Sequence, residues 1–154
     1  MNHRIRAAAI GVDAGKLLKV MHDVLEQGKM FWILPGGGVE REESPFDCAK
    51  REVMGEIGMH VNRDRVIYVR QRADTELDYH HVELFILVKS FCGKPAPGDN
   101  SEISPFTFLI SDARFLARDE MHDVGVYPEM LKNQFWDRLN LGFPQMTYLG
   151  VDKD

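Results

Sequence analysis

Residues 35–58 constrain this chain more than any other stretch. Phe31-Trp32-Ile33-Leu34 is a short apolar run ended by Pro35, and Gly36-Gly37-Gly38 then supplies three residues able to take positive φ, so a backbone corner is expected there. Ser44 reads as a helix N-cap, with Pro45 at the first helical position and Asp47 completing a variant capping box. The spacing predicts a helix over 45–57, closed by Gly58 in the left-handed position common just past a helix end. A strand, a glycine corner and a capped helix in that order need a sheet to receive the strand and a core to receive one helix face.

The flanking pattern is one of strands joined by turns. Residues 5–12 and 16–21 read as two strands about the tight turn Asp13-Ala14-Gly15, and 22–29 as a polar loop. Residues 66–72 and 81–91 have strand character, with 73–80 a polar connection. Residues 93–104, with Pro95, Pro97 and Gly98, are expected to form a long loop, and 106–110 a strand. Ser111 is expected to cap a short helix through Ala117, Pro128 to open one reaching about Leu139, and 141–154 to be irregular. No repeat, low-complexity tract or linker interrupts the 154 residues, a length that suits one domain over 1–154.

Composition removes several classes. With 44% hydrophobic and 28% charged residues, the chain is far from disordered, collagen-like or membrane-spanning proteins. Nineteen Lys plus Arg against 24 Asp plus Glu leave a net charge of -5, which repels a nucleic-acid backbone, so no nucleic-acid polymer is an expected partner. Cys48 and Cys92 form neither a CxxC pair nor a disulfide framework, and two reduced thiols in a cytoplasmic protein are expected. The apolar run after Arg4 and Arg6 stops at Asp13, too short for a signal-peptide core or a bilayer span, so no membrane association is expected.

At 100° per residue, the predicted helix places Phe46, Ala49, Val53 and Ile57 in one apolar stripe that must be buried. Glu52 and Glu56, four apart, lie together beside it, where like charges destabilise an isolated helix by about 0.2–0.5 kcal/mol. A cation between them removes that penalty. Mg²⁺ takes oxygen ligands and often uses one or two carboxylates plus the oxygens of a bound phosphate. Glu43, just before the cap, brings a third carboxylate to the same end, and Arg51 orients a neighbouring carboxylate or balances its charge. The Gly36-Gly37-Gly38 corner lets the backbone pass close by, making the segment a metal and pyrophosphate platform. Taken alone, the pair fits equally the commoner arrangement, a solvated acidic face beside a core stripe.

Residues 37–59 resemble the Nudix box, which reads G, five residues, E, seven residues, then R-E-U-x-E-E-x-G-U with U a bulky aliphatic residue. Gly37, Glu43, Arg51, Glu52, Glu56 and Gly58 stand at six of the seven fixed positions, with Val53 and Met59 at bulky ones; Gly55 stands where the family has Glu. Six matches of seven arise by chance on the order of once in ten thousand chains of this length. The resemblance implies an α+β fold, the Nudix-type α/β/α sandwich with a mixed β-sheet. It implies a Mg²⁺- or Mn²⁺-dependent hydrolase that cleaves the pyrophosphate bond of a nucleoside diphosphate linked to another moiety. Glu52, Glu56 and Gly37 carry over as the metal positions, Glu43 and Arg51 as supporting residues, and Gly36, Gly37 and Gly38 as substrate-facing backbone. For the general base, Glu52 and Glu102 are the candidates, with Glu83 a weaker one. The partner implied is a small nucleotide diphosphate, bound by a monomer or homodimer. Gly55 leaves a second reading, a catalytically weakened Nudix-fold nucleotide-binding or regulatory module.

Outside the box, Arg70 and Arg72 alternate on one strand face and suit phosphate binding, or simply a solvated face. Trp32 suits base stacking less well than a core position. His80 and His81 lack zinc-site spacing, and Cys48 lacks a sequence-visible His partner. Phe135, Trp136, Leu139, Leu141 and Phe143 read as helix packing before a dimer surface.

Overall fold

The computed structural model describes residues 1–24, 29–98, 109–121 and 124–153. Strand β1 (Asn2–Ile10) lies inside a mixed five-stranded sheet with β5 (Gly36–Gly38), β6 (His60–Asp74), β7 (Tyr79–Cys92) and β10 (Thr147–Lys153). The order across it is β10-β6-β7-β1-β5, with β1 parallel to β7, β10 parallel to β6, and the other pairs antiparallel. A second sheet joins β2 (Val12–Asp13), β3 (Lys16–Val24), β4 (Lys29–Ile33) and β9 (Val126–Tyr127), with β8 (Leu109–Ala117) also paired to β3.

The strand expected over 5–12 divides between the two sheets. At Gly11 the chain turns toward Leu18, whose N–H donates to the Gly11 carbonyl at 2.8 Å, and Val12 pairs with Leu17 instead of continuing β1. Ala14 and Gly15 have φ of 49° and 74°, the paired positive values that let a two-residue hairpin follow strand twist. Of the polar loop expected over 22–29, residues 22–24 belong instead to β3, which continues to Val24, and Lys29 begins β4; 25–28 lie outside the described residues.

Three further expectations are corrected. Residues 111–117 form β8, not a helix. Ile110 and Asp112 pair with His22 and Met21 respectively, leaving Ser111 as the extra residue of a bulge, so buried Ile110 and Ala113 fall three apart. The helix expected from Pro128 breaks into a 3₁₀ turn at Glu129–Lys132 and helix α2 (Gln134–Asn140), because Asn133 leaves helical geometry and its Oδ1 accepts from the Gln134 N–H at 2.6 Å. Residues 147–153 form β10, whose alternation is broken by a register shift between Tyr148 and Val151, with Gly150 at φ 95°.

Helix α1 (Pro45–Ile57) covers one face of the mixed sheet. Cys48 and Ala49 pack with Ala7 and Ile86, while Val53 and Ile57 pack with Ala9, Val61 and the second sheet's Leu18 and Val20. The opposite face, carrying Ile10, Tyr68 and Phe85, is covered by Leu131, Phe135, Trp136 and Phe143. A mixed sheet between helical layers gives an α+β, α/β/α arrangement. Trp32 is a core residue at 3% exposure. Among the described residues no helix is long and apolar enough to cross a membrane.

Candidate functional site

The predicted helix forms within its predicted bounds, and both ends are fixed. Ser44 Oγ accepts the Asp47 N–H at 3.1 Å, and Gly58 takes φ 70° with its N–H donating to the Met54 carbonyl. The chain leaving β7 then returns to this end. Ala96 N–H donates to the Ile57 carbonyl at 3.2 Å and Gly98 N–H to the Glu56 carbonyl at 2.7 Å.

Arg51 organises the outward face. Its Nη2 and Nε grip the two oxygens of Glu43 at 2.7 and 3.1 Å, its Nη1 donates to Glu52 Oε1 at 2.8 Å, and its Nη2 also reaches the Gly38 carbonyl at 3.1 Å. One planar guanidinium thus fixes the helix, the segment before it and the glycine corner relative to one another. The bond from Arg51 holds the Glu43 carboxyl well below the usual range, at about 2.

Glu56 lies one turn beyond Glu52. Its Oε1 accepts the Gly36 N–H at 3.3 Å, whereas its Oε2 is buried with no hydrogen-bond partner. Burial first, and then the neighbouring Glu52 carboxylate, push the Glu56 pKa well above the ordinary value. Glycine at position 37 leaves room for Glu52 as it stands, because a β-carbon there would collide with the Glu52 carboxylate and displace it. Its carbonyl accepts from the buried Cys48 thiol at 3.5 Å, and burial pushes that thiol up to about 12, so it stays protonated. Among the described residues no three His, Cys, Asp or Glu side chains converge on one point. The donors are two carboxylates, one with an unsatisfied buried oxygen, and they fit a hard divalent cation that takes its remaining ligands from water and phosphate.

The register of the mixed sheet extends the site. Gly38 pairs with Arg6, Arg6 with Glu83, and Glu83 with Arg70, so four strands contribute one row. Arg70 Nη2 donates to Glu83 Oε2 at 2.6 Å, while Arg6 and Arg72 each approach Glu83 Oε1 at 3.9 Å. Burial alone would raise the Glu83 pKa, but Arg70, Arg6 and Arg72 together hold it below the ordinary value. Arg6, Glu83 and Arg70 of this row, with Arg72, line a cleft of about 860 Å³ together with Phe31, Ile33, Tyr127 and Met130. Phe31 and Tyr127 meet edge to face at 5.7 Å.

The structure therefore gathers Glu43, Arg51, Glu52, Glu56, Gly36, Gly37 and Gly38 around one helix face and places Arg70 and Arg72 in the adjoining cleft. Glu102 lies outside the described residues. Gly55 leaves space, since a β-carbon there meets nothing within 4 Å. His80 is engaged by Gln71 at 3.0 Å, and burial lowers the His81 pKa to about 4. Sequence reasoning missed Arg6, Phe31, Tyr127 and Asp152 as cleft residues. The alternation of Arg4 and Arg6 along β1 was the available signal for the first.

A family model described as NUDIX domain matches residues 2–131. Over 56 residues the chain is 38% identical to diphosphoinositol polyphosphate phosphohydrolase 2 of Rattus norvegicus, a match covering 36% of this chain and 30% of that protein. The matched part is thus under a third of that relative's length. The fold resembles a MutT NUDIX hydrolase from Burkholderia pseudomallei, with TM-score 0.69 and 22% identity over 86% of this chain and 96% of the other. It also resembles the E. coli ORF135 protein, with TM-score 0.72 and 19% identity over 94% and 95% of the two chains.

Proposed function

The chain belongs to the NUDIX domain family, and on that premise we propose that it hydrolyses the pyrophosphate bond of a small nucleotide-linked diphosphate, using Mg²⁺ or Mn²⁺ held at Glu52 and Glu56. The observation that carries this is the buried, unpartnered Glu56 Oε2 beside the Glu52 carboxylate, with Glu56 bonded to Gly36, whose strand partner Ala8 lines the cleft that holds Arg6, Arg70 and Arg72. When bound, the divalent cation polarises phosphoryl oxygens and acidifies water.

The protein's own groups do the rest. Arg51 keeps Glu52 in one rotamer, and Glu43 keeps Arg51 in place. Glu52 or Glu102 takes the proton of the attacking water, with Glu83 a poorer choice because three arginines hold it ionised. Arg70 and Arg72 bind the phosphates away from the scissile bond, and the Phe31–Tyr127 wall suits a planar base. Free Cys48 and Cys92 suit a reducing cytoplasm.

The name of the rat relative raises a compact polyphosphate as an alternative substrate. In this cleft Arg6, Arg70 and Arg72 stand against Glu83, Asp74, Glu129 and Asp152, a balance that favours a ligand with few phosphates and an aromatic ring. Gly55 supports a second reading, a weakened nucleotide-binding or regulatory module, because one carboxylate of the box is missing.

Nucleoside triphosphates, ADP-ribose, dinucleoside polyphosphates, nucleotide sugars and a diphosphoinositol polyphosphate should be assayed with Mg²⁺ and with Mn²⁺. The expected result is metal-dependent release of a nucleoside monophosphate or phosphate, with Glu52→Gln and Glu56→Gln each lowering the rate by on the order of 10²-fold or more. Full activity in either variant, or activity without metal, would overturn these roles.

A further inference from the structure

We propose that Asp152 determines affinity and specificity in the cleft: it covers the outward face of Arg70 and must be displaced by a phosphate group of the incoming ligand. This rests on the reading of the cleft as the substrate site.

Arg70 is held from behind. Its Nη2 donates to Glu83 at 2.6 Å, and its guanidinium lies 5.6 Å from the centre of the Phe85 ring. Its side chain is only 13% exposed, and Nη1 is the nitrogen it turns toward β10, donating to Asp152 Oδ2 at 3.3 Å. The two carboxylates on Arg70 differ sharply. Glu83 is 9% exposed and shared with two other arginines, while Asp152 is 58% exposed on an edge strand beside a register shift. Exposed ion pairs are weak, so Asp152 is the partner that yields.

The exchange has a chemical selectivity. A phosphate brings more charge than a carboxylate and three acceptor oxygens, so it competes for Nη1 and presents a second oxygen to neighbouring donors. A neutral hydroxyl gains too little to break the pair. Arg70 is thereby reserved for ligands that carry phosphate, at the expense of part of their affinity.

Inorganic pyrophosphate titrated calorimetrically into the full chain, with divalent cations chelated so that Glu52 and Glu56 do not contribute, tests this. Asp152→Asn should tighten binding by about two- to fivefold. Asp112→Asn, which removes the same charge from an exposed pair with Arg114 elsewhere on the surface, should leave it unchanged. In an Arg70→Gln background the gain from Asp152→Asn should vanish; Arg70→Met serves if the Gln variant does not fold. Wild-type affinity in Asp152→Asn, an equal gain from Asp112→Asn, a gain that persists without Arg70, or no pyrophosphate binding in any variant would each overturn the proposal. A gain specific to Asp152 and Arg70, in a protein that hydrolyses no nucleotide with metal, would instead overturn the proposed reaction and leave this inference standing.

Discussion

Gly37 and Glu52 compete for one volume: a β-carbon on Gly37 would lie 2.5 Å from Glu52 Cδ and overlap the carboxylate oxygens. Gly37→Ala should therefore push Glu52 off its bond to Arg51. A shift of about 1 Å in a catalytic group costs on the order of 10²-fold in rate, and kcat/KM should fall by that much. The Tm should fall only modestly, because Glu52 can swing toward solvent. Unchanged kcat/KM in Gly37→Ala would mean that Glu52 does not need its observed position.

Glu56 should make the metal-free protein less stable at neutral pH. Its folded pKa is raised above the ordinary 4.5, so its contribution is fully present below pH 4.5 and is lost as pH rises through the folded pKa. Glu56→Gln should thus raise the metal-free Tm at pH 8 while abolishing turnover, and should flatten the decline in stability above pH 4.5. Divalent cation should raise the Tm of the wild type and not that of the variant. Thermal denaturation with and without cation checks both statements.

Gly55→Glu should be tolerated and stabilising. The space is open, glycine inside a helix costs about 1 kcal/mol relative to alanine, and the added like charge near Glu52 returns about 0.2–0.5 kcal/mol of that. Metal affinity, measured by titration, should increase. A loss of stability would mean that the glycine serves the helix backbone instead.

Lys19 is a further buried charge, unrelated to the cleft. It is 0% exposed, its Nζ has no hydrogen-bond partner, and burial together with the charge of Lys132 lowers its pKa to about 7. A lysine with a depressed folded pKa favours the fold most above its unfolded value of 10.5, and stability falls as pH drops from there toward 7. Lys19→Met should stabilise the protein at pH 7 by on the order of a few kcal/mol and remove that slope. Chemical denaturation between pH 7 and 10 measures it.

The helix and its carboxylates were legible because their signals are local. Ser44, Pro45 and Gly58 set the bounds, and the spacing of Glu52 and Glu56 follows from one helical period. Strands β8 and β10 were not, because a bulge at Ser111 and a register shift before Val151 each break the two-residue alternation that marks a strand. The arginine cleft lay beyond sequence reading for another reason. Arg6, Glu83 and Arg70 become neighbours through the pairing of three strands, one of them parallel, and register is a property of the sheet rather than of any segment.

The bonds from Ala96 and Gly98 to the last carbonyls of α1 have a dynamic consequence. Helix termini normally fray first, yet here the terminal carbonyls are tied to a stretch that belongs to no sheet or helix. Opening this end means releasing that stretch as well, so the two form one cooperative unit. Hydrogen exchange at the amides of Ala96 and Gly98 should slow and quicken together with that at Gly58. Glu56 sits in that unit, and its carboxylate is as steady as the tether about forty residues downstream allows.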